Sequence, residues 1–308
     1  MNTTTQVSRR SFLTSSAAAI AGCCVTACST DKSSPKRKVV VGAHPWVYAA
    51  TQPKYDITLV LPQIFADMSY AGLDGIELMS TALLPDDAVA RIGELSRKHK
   101  LPVIGMSFSG AMWDRTKHQE VLADAEKTIP RLAKLGGRTL GTSVGAVKWG
   151  QKTRKTPEQL DAQAELLRKI IAICERNGVV LNLHNHTYEV ENELHDLKGT
   201  LARIPDVKLG PDLNWLMRGG VDPVAFIRQY GKQIVFLHLR DQKKDGRWSE
   251  ALGEGDMNYA AIAAALREIN FAGDAIIELA HERDFKPTRP LRESLKMSRA
   301  FVRKTLDY

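Results

Sequence analysis

From residue 39 to its last helix, the chain alternates short apolar runs with longer amphipathic segments. The apolar runs lie at 39–43, 75–78, 102–108, 139–143, 179–183, 207–209, 234–237 and 275–277. Each is followed by residues whose apolar positions recur at helical spacing, over 57–71, 86–99, 119–135, 157–177, 193–204, 259–269 and 291–306. A short helix opening at Asp222-Pro223 completes the series. Punctuation agrees with this division: Pro157 stands at a helix start, and Gly136-Gly137 and Asn177-Gly178 stand at helix ends. Eight strand–helix pairs without a break predict one α/β domain over 39–308, a (β/α)8 TIM barrel. The alternative, a doubly wound open sheet, wants a Gly-rich phosphate turn after an early strand, and none is present.

The beginning of the chain follows another pattern. A polar start leads into Ser8-Arg9-Arg10-Ser11-Phe12-Leu13, and a run of small and apolar residues then reaches Val25. That run is short for a permanent membrane span, so 1–28 reads as an export signal and 29–38 as a tether rich in Ser, Lys and Pro. The paired arginines resemble a twin-arginine signal. Val25-Thr26-Ala27-Cys28 resembles a bacterial lipobox, which implies a lipid on Cys28 and a periplasmic or cell-envelope lipoprotein held at the membrane by that anchor. A plain cleaved signal without lipid is the other reading. Of the four cysteines, Cys23 and Cys24 leave with the signal, and Cys174 falls in a helical run as a small core hydrophobe. No internal disulfide is expected, even in an oxidising compartment.

Composition changes little. A chain of 308 residues, 44% hydrophobic and 25% charged, has enough material for one large core. The formal charge is +8, or +6 once Arg9 and Arg10 are subtracted. The remaining basic residues are scattered over helix faces such as 91–100 and 289–303, so nucleic acid is not an expected partner.

Chemistry-bearing residues gather where the predicted strands give out. His184-Asn185-His186 follows the fifth strand, with Glu189 beyond; Asp212 follows the sixth, His238 the seventh and Glu278 the eighth. In parallel barrels these ends share one rim. Two imidazoles and two carboxylates form a mixed donor set for a divalent ion such as Mn, Zn or Co. Each member also has a structural reading: Asp212 as a turn cap, Glu278 as a partner of Arg283.

At this point the chain resembles the xylose isomerase-like barrels, a group of sugar isomerases, ketose 3-epimerases, inosose dehydratases and endonuclease IV-type enzymes. The resemblance is carried by Gly72-Leu73-Asp74-Gly75-Ile76-Glu77, His238-Leu239-Arg240-Asp241, Leu252-Gly253-Glu254-Gly255-Asp256 and Ile277-Glu278-Leu279. It implies a divalent metal held by Asp212, His238 and Glu278. The family's epimerases have a fourth ligand, a strand-five glutamate, where this chain has His184, with His186 and Glu189 nearby. Those epimerases use two glutamates as acid and base, so the change puts two-base epimerisation in doubt and brings the dehydratase branch forward. Trp215 stands where endonucleases of the group place a histidine, which weakens the nuclease reading.

All five tryptophans, Trp46, Trp113, Trp149, Trp215 and Trp248, follow predicted strands. A flat apolar ring with one polar edge suits the C–H faces of sugars. The expected substrate is therefore a small carbohydrate, and the expected chemistry is proton abstraction from a carbon next to a carbonyl. Glu278 serves as ligand and base, His186 or Glu189 as the second acid or base. Glu77, His44, Trp46, Trp113, Trp215, Arg240 and Trp248 are read as substrate contacts. Return of the proton makes an isomerase or epimerase, and loss of a neighbouring oxygen makes a lyase or dehydratase. A catalytically silent sugar-binding lipoprotein is the remaining class.

Overall fold

The structure, a computed structural model, describes residues 39–308. The signal and tether expected over 1–38, with Arg9, Arg10 and Cys28, lie outside the described residues. Eight strands carry the fold: β1 (Val41–Ala43), β2 (Gly75–Met79), β3 (Val103–Ser109), β4 (Thr139–Ser143), β5 (Val180–Leu183), β6 (Lys208–Leu209), β7 (Phe236–Leu239) and β8 (Asp274–Ile277). Neighbours pair in the order β6-β5-β4-β3-β2-β1-β8-β7, all parallel. The ends of that order meet through parallel bridges between Leu209 and Ile234 and between Asp212 and His238. The sheet thus closes into the expected (β/α)8 barrel, and closure leaves no open edge for another chain to pair with.

Ten α-helices are described: α1 (Trp46–Ala49), α2 (Leu61–Tyr70), α3 (Ala88–His99), α4 (His118–Lys134), α5 (Pro157–Arg176), α6 (Thr187–Arg203), α7 (Leu213–Arg218), α8 (Pro223–Tyr230), α9 (Tyr259–Glu268) and α10 (Leu291–Leu306). The long ones turn an apolar stripe to the barrel, as Leu61, Ile64, Phe65 and Met68 of α2 do with no exposed surface. Each such side chain contributes about 1.5–3 kcal/mol by leaving water. Cys174 belongs to the stripe of α5, and burial pushes its thiol up to about 12, so it packs as an apolar residue. None of the described helices is long and apolar enough to cross a membrane.

The departures from the expected elements all lie at the C-terminal mouth. The short helices α1 and α7 follow β1 and β6 directly, too short to leave a periodic signal. The helix expected over 193–204 is only the second half of α6. Its first turn begins at Thr187, and Asn192, Glu193 and Leu194 then take left-handed backbone angles that break it in two. Glycine at the barrel wall has a steric cause: a side chain at Gly42 or Gly75 would stand 2.7 or 2.5 Å from Ile104.

The two motifs His238–Asp241 and Leu252–Asp256 prove to be one unit. The Asp241 carboxylate accepts backbone N–H groups from Gly253 and Gly255 on one oxygen and from Gln242 and Met257 on the other. A Cβ at Gly255 would collide with that carboxylate, which explains the glycine. The motif fixes the β7–α9 connection and leaves Arg240 aimed at the mouth.

Candidate active site

His184, Asp212, His238 and Glu278 each offer a donor atom, and those atoms all lie within 4.8 Å of one another. His184 and Glu278 stand one residue past β5 and β8, while His238 lies inside β7. Asp212 uses one oxygen to cap α7, accepting from the N–H groups of Asn214 and Trp215 at 2.9 Å each. Its backbone is held from β5: Asn185 Oδ1 accepts from Asp212 N–H at 3.2 Å. Glu278 Oε1 accepts from Arg240 at 2.7 Å. His238 Nε2 meets Glu77 Oε2 at 2.6 Å, and since an ionised carboxylate only accepts, the ring N–H donates there.

What remains is one atom on each residue. His184 Nδ1, Asp212 Oδ2, His238 Nδ1 and Glu278 Oε2 are buried and meet no hydrogen-bond partner. His238 Nδ1 and Glu278 Oε2 stand 3.0 Å apart without hydrogen-bond alignment. An orphaned buried polar atom costs about 1–3 kcal/mol, so four converging ones call for a common partner. A divalent cation fits: four lone-pair donors of mixed nitrogen and oxygen, two of them carboxylates, face one point.

The electrostatics agree. Burial, helped by His238 and His186, holds the His184 ring well below the usual histidine range, so it is neutral with a lone pair to give. Burial alone would lower His238 too, but Glu77 and Glu278 outweigh it and push the ring up to about 10. The site therefore draws positive charge to the gap between His238 and Glu278. Burial disfavours an ionised Glu278, yet Arg240, His44 and His238 around it keep it well below the usual carboxylate range. Burial raises Asp212, against the pull of Arg240.

Above these four opens a cavity of about 360 Å³ lined by His44, Trp46, Tyr55, Ser107, Trp149, His186 and Arg240 among others. His186 is outside the donor group. Its Nδ1 lies 3.1 Å from the Tyr188 hydroxyl and its ring stacks on Tyr188. Burial pushes His186 down to about 4, leaving a neutral imidazole in the cavity wall. His44 accepts the Trp46 N–H on Nδ1, so its other nitrogen donates to Ser107 at 2.9 Å.

Several expected contacts are placed elsewhere. Glu77 does not line the cavity: it is fully buried and holds His238. Glu189 is buried, its oxygens taken by the Ser143 hydroxyl and the N–H groups of Val144 and His186. Burial, with Asp196 nearby, pushes it up to about 7, but it faces the β4–α6 junction and not the donor group. Trp113 does not line the cavity; its indole N–H donates to Ala146 O at 3.3 Å and ties two loops. Trp215 and Trp248 do not line it either; they pack edge to face, with the Arg218 guanidinium 4.1 Å from the Trp248 ring. Of the five tryptophans, Trp46, stacked on Tyr55, and Trp149 line it. Asn185, Tyr188 and Ser107 were not foreseen as positioning groups; each is uncharged and gives no periodic signal.

A family model described as "Xylose isomerase-like TIM barrel" matches residues 65–301. The chain belongs to the xylose isomerase-like TIM barrel family. Within reach of this family, a rhizopine catabolism protein of Rhizobium meliloti is 28% identical over 65% of this chain and 62% of its own length, so less than two thirds of that relative is spanned. An inosose dehydratase of Geobacillus kaustophilus is 23% identical over 69% of this chain and 77% of its own. A solved L-ribulose 3-epimerase superposes with a TM-score of 0.69 at 22% identity, covering 88% of this chain and 95% of its own. At that identity the superposition speaks for the fold alone. The xylose isomerase-like barrel here thus carries its donor group on the same mouth where parallel barrels place their sites.

Proposed function

We propose that this chain is a divalent-metal-dependent enzyme that takes a proton from a carbon next to a carbonyl in a sugar. The observation that carries this reading is the set of four orphaned donor atoms opening on the 360 Å³ cavity. The relatives named as an inosose dehydratase and an L-ribulose 3-epimerase support a sugar isomerase/epimerase or dehydratase kind. His184, Asp212, His238 and Glu278 would hold a metal such as Mn, Zn or Co, which supplies Lewis acidity to substrate oxygens. Arg240 donates toward Glu278 and the mouth, and so adds positive charge where an enediolate would form. Neutral His186, in the cavity wall and outside the donor group, is the base. Glu278 is a member of the donor group and serves in this reading as a ligand.

Between the two reactions, one observation favours elimination. Glu189, the carboxylate that would replace the missing strand-five glutamate, is buried against Ser143 and Val144. Two-face epimerisation wants a second group opposite the first, whereas elimination needs one. His186 takes the proton, the neighbouring C–O bond breaks, and the same imidazolium returns the proton to the departing oxygen. Keto-sugars and oxidised glycosides in deuterated water should then give an unsaturated product. Starting sugar with inverted configuration and one deuterium would instead make it an epimerase.

Glu77 is assigned the orientation of His238, since a carboxylate on the far nitrogen fixes which nitrogen is free to bind. Glu77→Ala is expected to weaken manganese or zinc binding by about 10–100-fold, and Glu77→Gln, which can still accept, by much less. Calorimetric titration of the ion decides; equal affinity in Glu77→Ala would remove the assignment.

We also propose export by the twin-arginine route with a lipid on Cys28. Joint Arg9→Lys and Arg10→Lys replacement should hold precursor in the cytoplasm, and Cys28→Ala should free the protein from membranes. A Cys28→Ala protein that stays membrane-bound rules out the lipid.

A further inference from the structure

Beside the mouth cavity lies an outer one of about 230 Å³, and Trp149 lines both. Trp149 belongs to the connection between β4 and α5, and its surface is 69% exposed. A single exposed indole means little by itself. This one bridges a partition. The wall between the cavities is the stacked pair of His186 and Tyr188, with ring centres 5.2 Å apart and planes 10° from parallel. His186 faces the inner cavity and Tyr188 the outer. Trp149 meets the two rings edge to face at 5.9 and 5.5 Å, so it spans the top of the wall.

The outer cavity has the polar complement of such a platform. The side chains of Gln151, Lys152, Thr187 and Glu191 line it and make no hydrogen bond or ion pair with any described residue. One cation and one anion among them balance, which suits an uncharged ligand with many hydroxyls better than a phosphate. An indole face flanked by such donors and acceptors matches a sugar ring, apolar on its C–H face and polar around its rim.

We propose that the substrate carries two or more linked sugar rings, one in the inner cavity at the donor group and the next against Trp149 in the outer cavity. This rests on the carbohydrate reading above and deepens it: of the keto-sugars and glycosides considered there, it selects those with a second ring and says where that ring sits. A ring held only in the inner cavity would leave the outer one, with its platform, without a ligand.

The test is calorimetric titration of the full-length, manganese-loaded protein with D-fructose and with three glycosyl-fructoses, lactulose, turanose and isomaltulose. Each offers the same ketose, with or without a second ring. At least one of the three is expected to bind about tenfold tighter than fructose, the scale of one well-packed aromatic contact. In Trp149→Ala that ratio should fall toward one. Lys152→Ala, which borders only the outer cavity, should lower it severalfold, and thermal melting checks both folds. Fructose binding as tightly as all three glycosides, or a ratio that survives Trp149→Ala, overturns the two-ring inference and leaves the proposed function standing. Failure of all four sugars to bind overturns the carbohydrate reading and this inference with it.

Discussion

Purified Asp212→Ala protein is expected to carry no divalent ion, where the parent carries one per chain. Asp212 has no exposed surface, and only its Oδ2 points into the donor group. Losing it removes one of the two carboxylates that balance the ion's charge. The expected fall in affinity is roughly 100-fold or more, above what loss of an outer partner costs. Because Asp212 also caps α7, the alanine variant carries a structural cost of about 1 kcal/mol. Asp212→Asn keeps the acceptor for that cap while removing the charge, so it separates the two effects. Metal analysis of both proteins, with melting as the control for folding, reads the result. A full complement of ion in both would sink the assignment.

His186→Ala is expected to cut turnover by roughly 100-fold or more with metal content little changed, the usual scale of general acid–base help. His186 lines the cavity, stays neutral and lies outside the four donors. The substitution leaves intact the backbone N–H that Glu189 accepts, so the first turn of α6 keeps that half of its cap. Turnover that holds while metal stays bound would pass the base role elsewhere. If no sugar in a broad panel is turned over by the parent while binding is readily measured, the protein is a silent binder.

How far these residues were legible follows from what each one signals. Apolar runs with a helical period between them mark the eight strands, and a parallel barrel puts every strand end on one rim. The donor group could therefore be read as four residues near those ends, although His238 lies inside its strand. The division of labour could not. Glu77 lies in an apolar run as His238 does, and nothing in its neighbourhood says that it faces inward to His238 across the barrel, 161 residues away in sequence. Glu189 looks like a free acid in sequence because its partners, Ser143 and Val144, arrive from another strand. The tryptophans were placed correctly at the mouth, but position alone does not tell a ring that faces the cavity from one whose edge or face is already taken. Trp46 and Trp149 face it; Trp113, Trp215 and Trp248 do not. The break in α6 left no signal, since none of Asn192, Glu193 and Leu194 is a glycine or proline.

In the proposed enzyme one divalent ion is held by four side chains at the barrel mouth. Anomalous diffraction from crystals of the manganese- or zinc-loaded protein tests it most directly. A single strong peak is expected in the mouth, bonded by His184, Asp212, His238 and Glu278, with His186 and Glu189 unbonded. A mouth without a peak, or an ion held by His186 or Glu189 in place of His184, would contradict it.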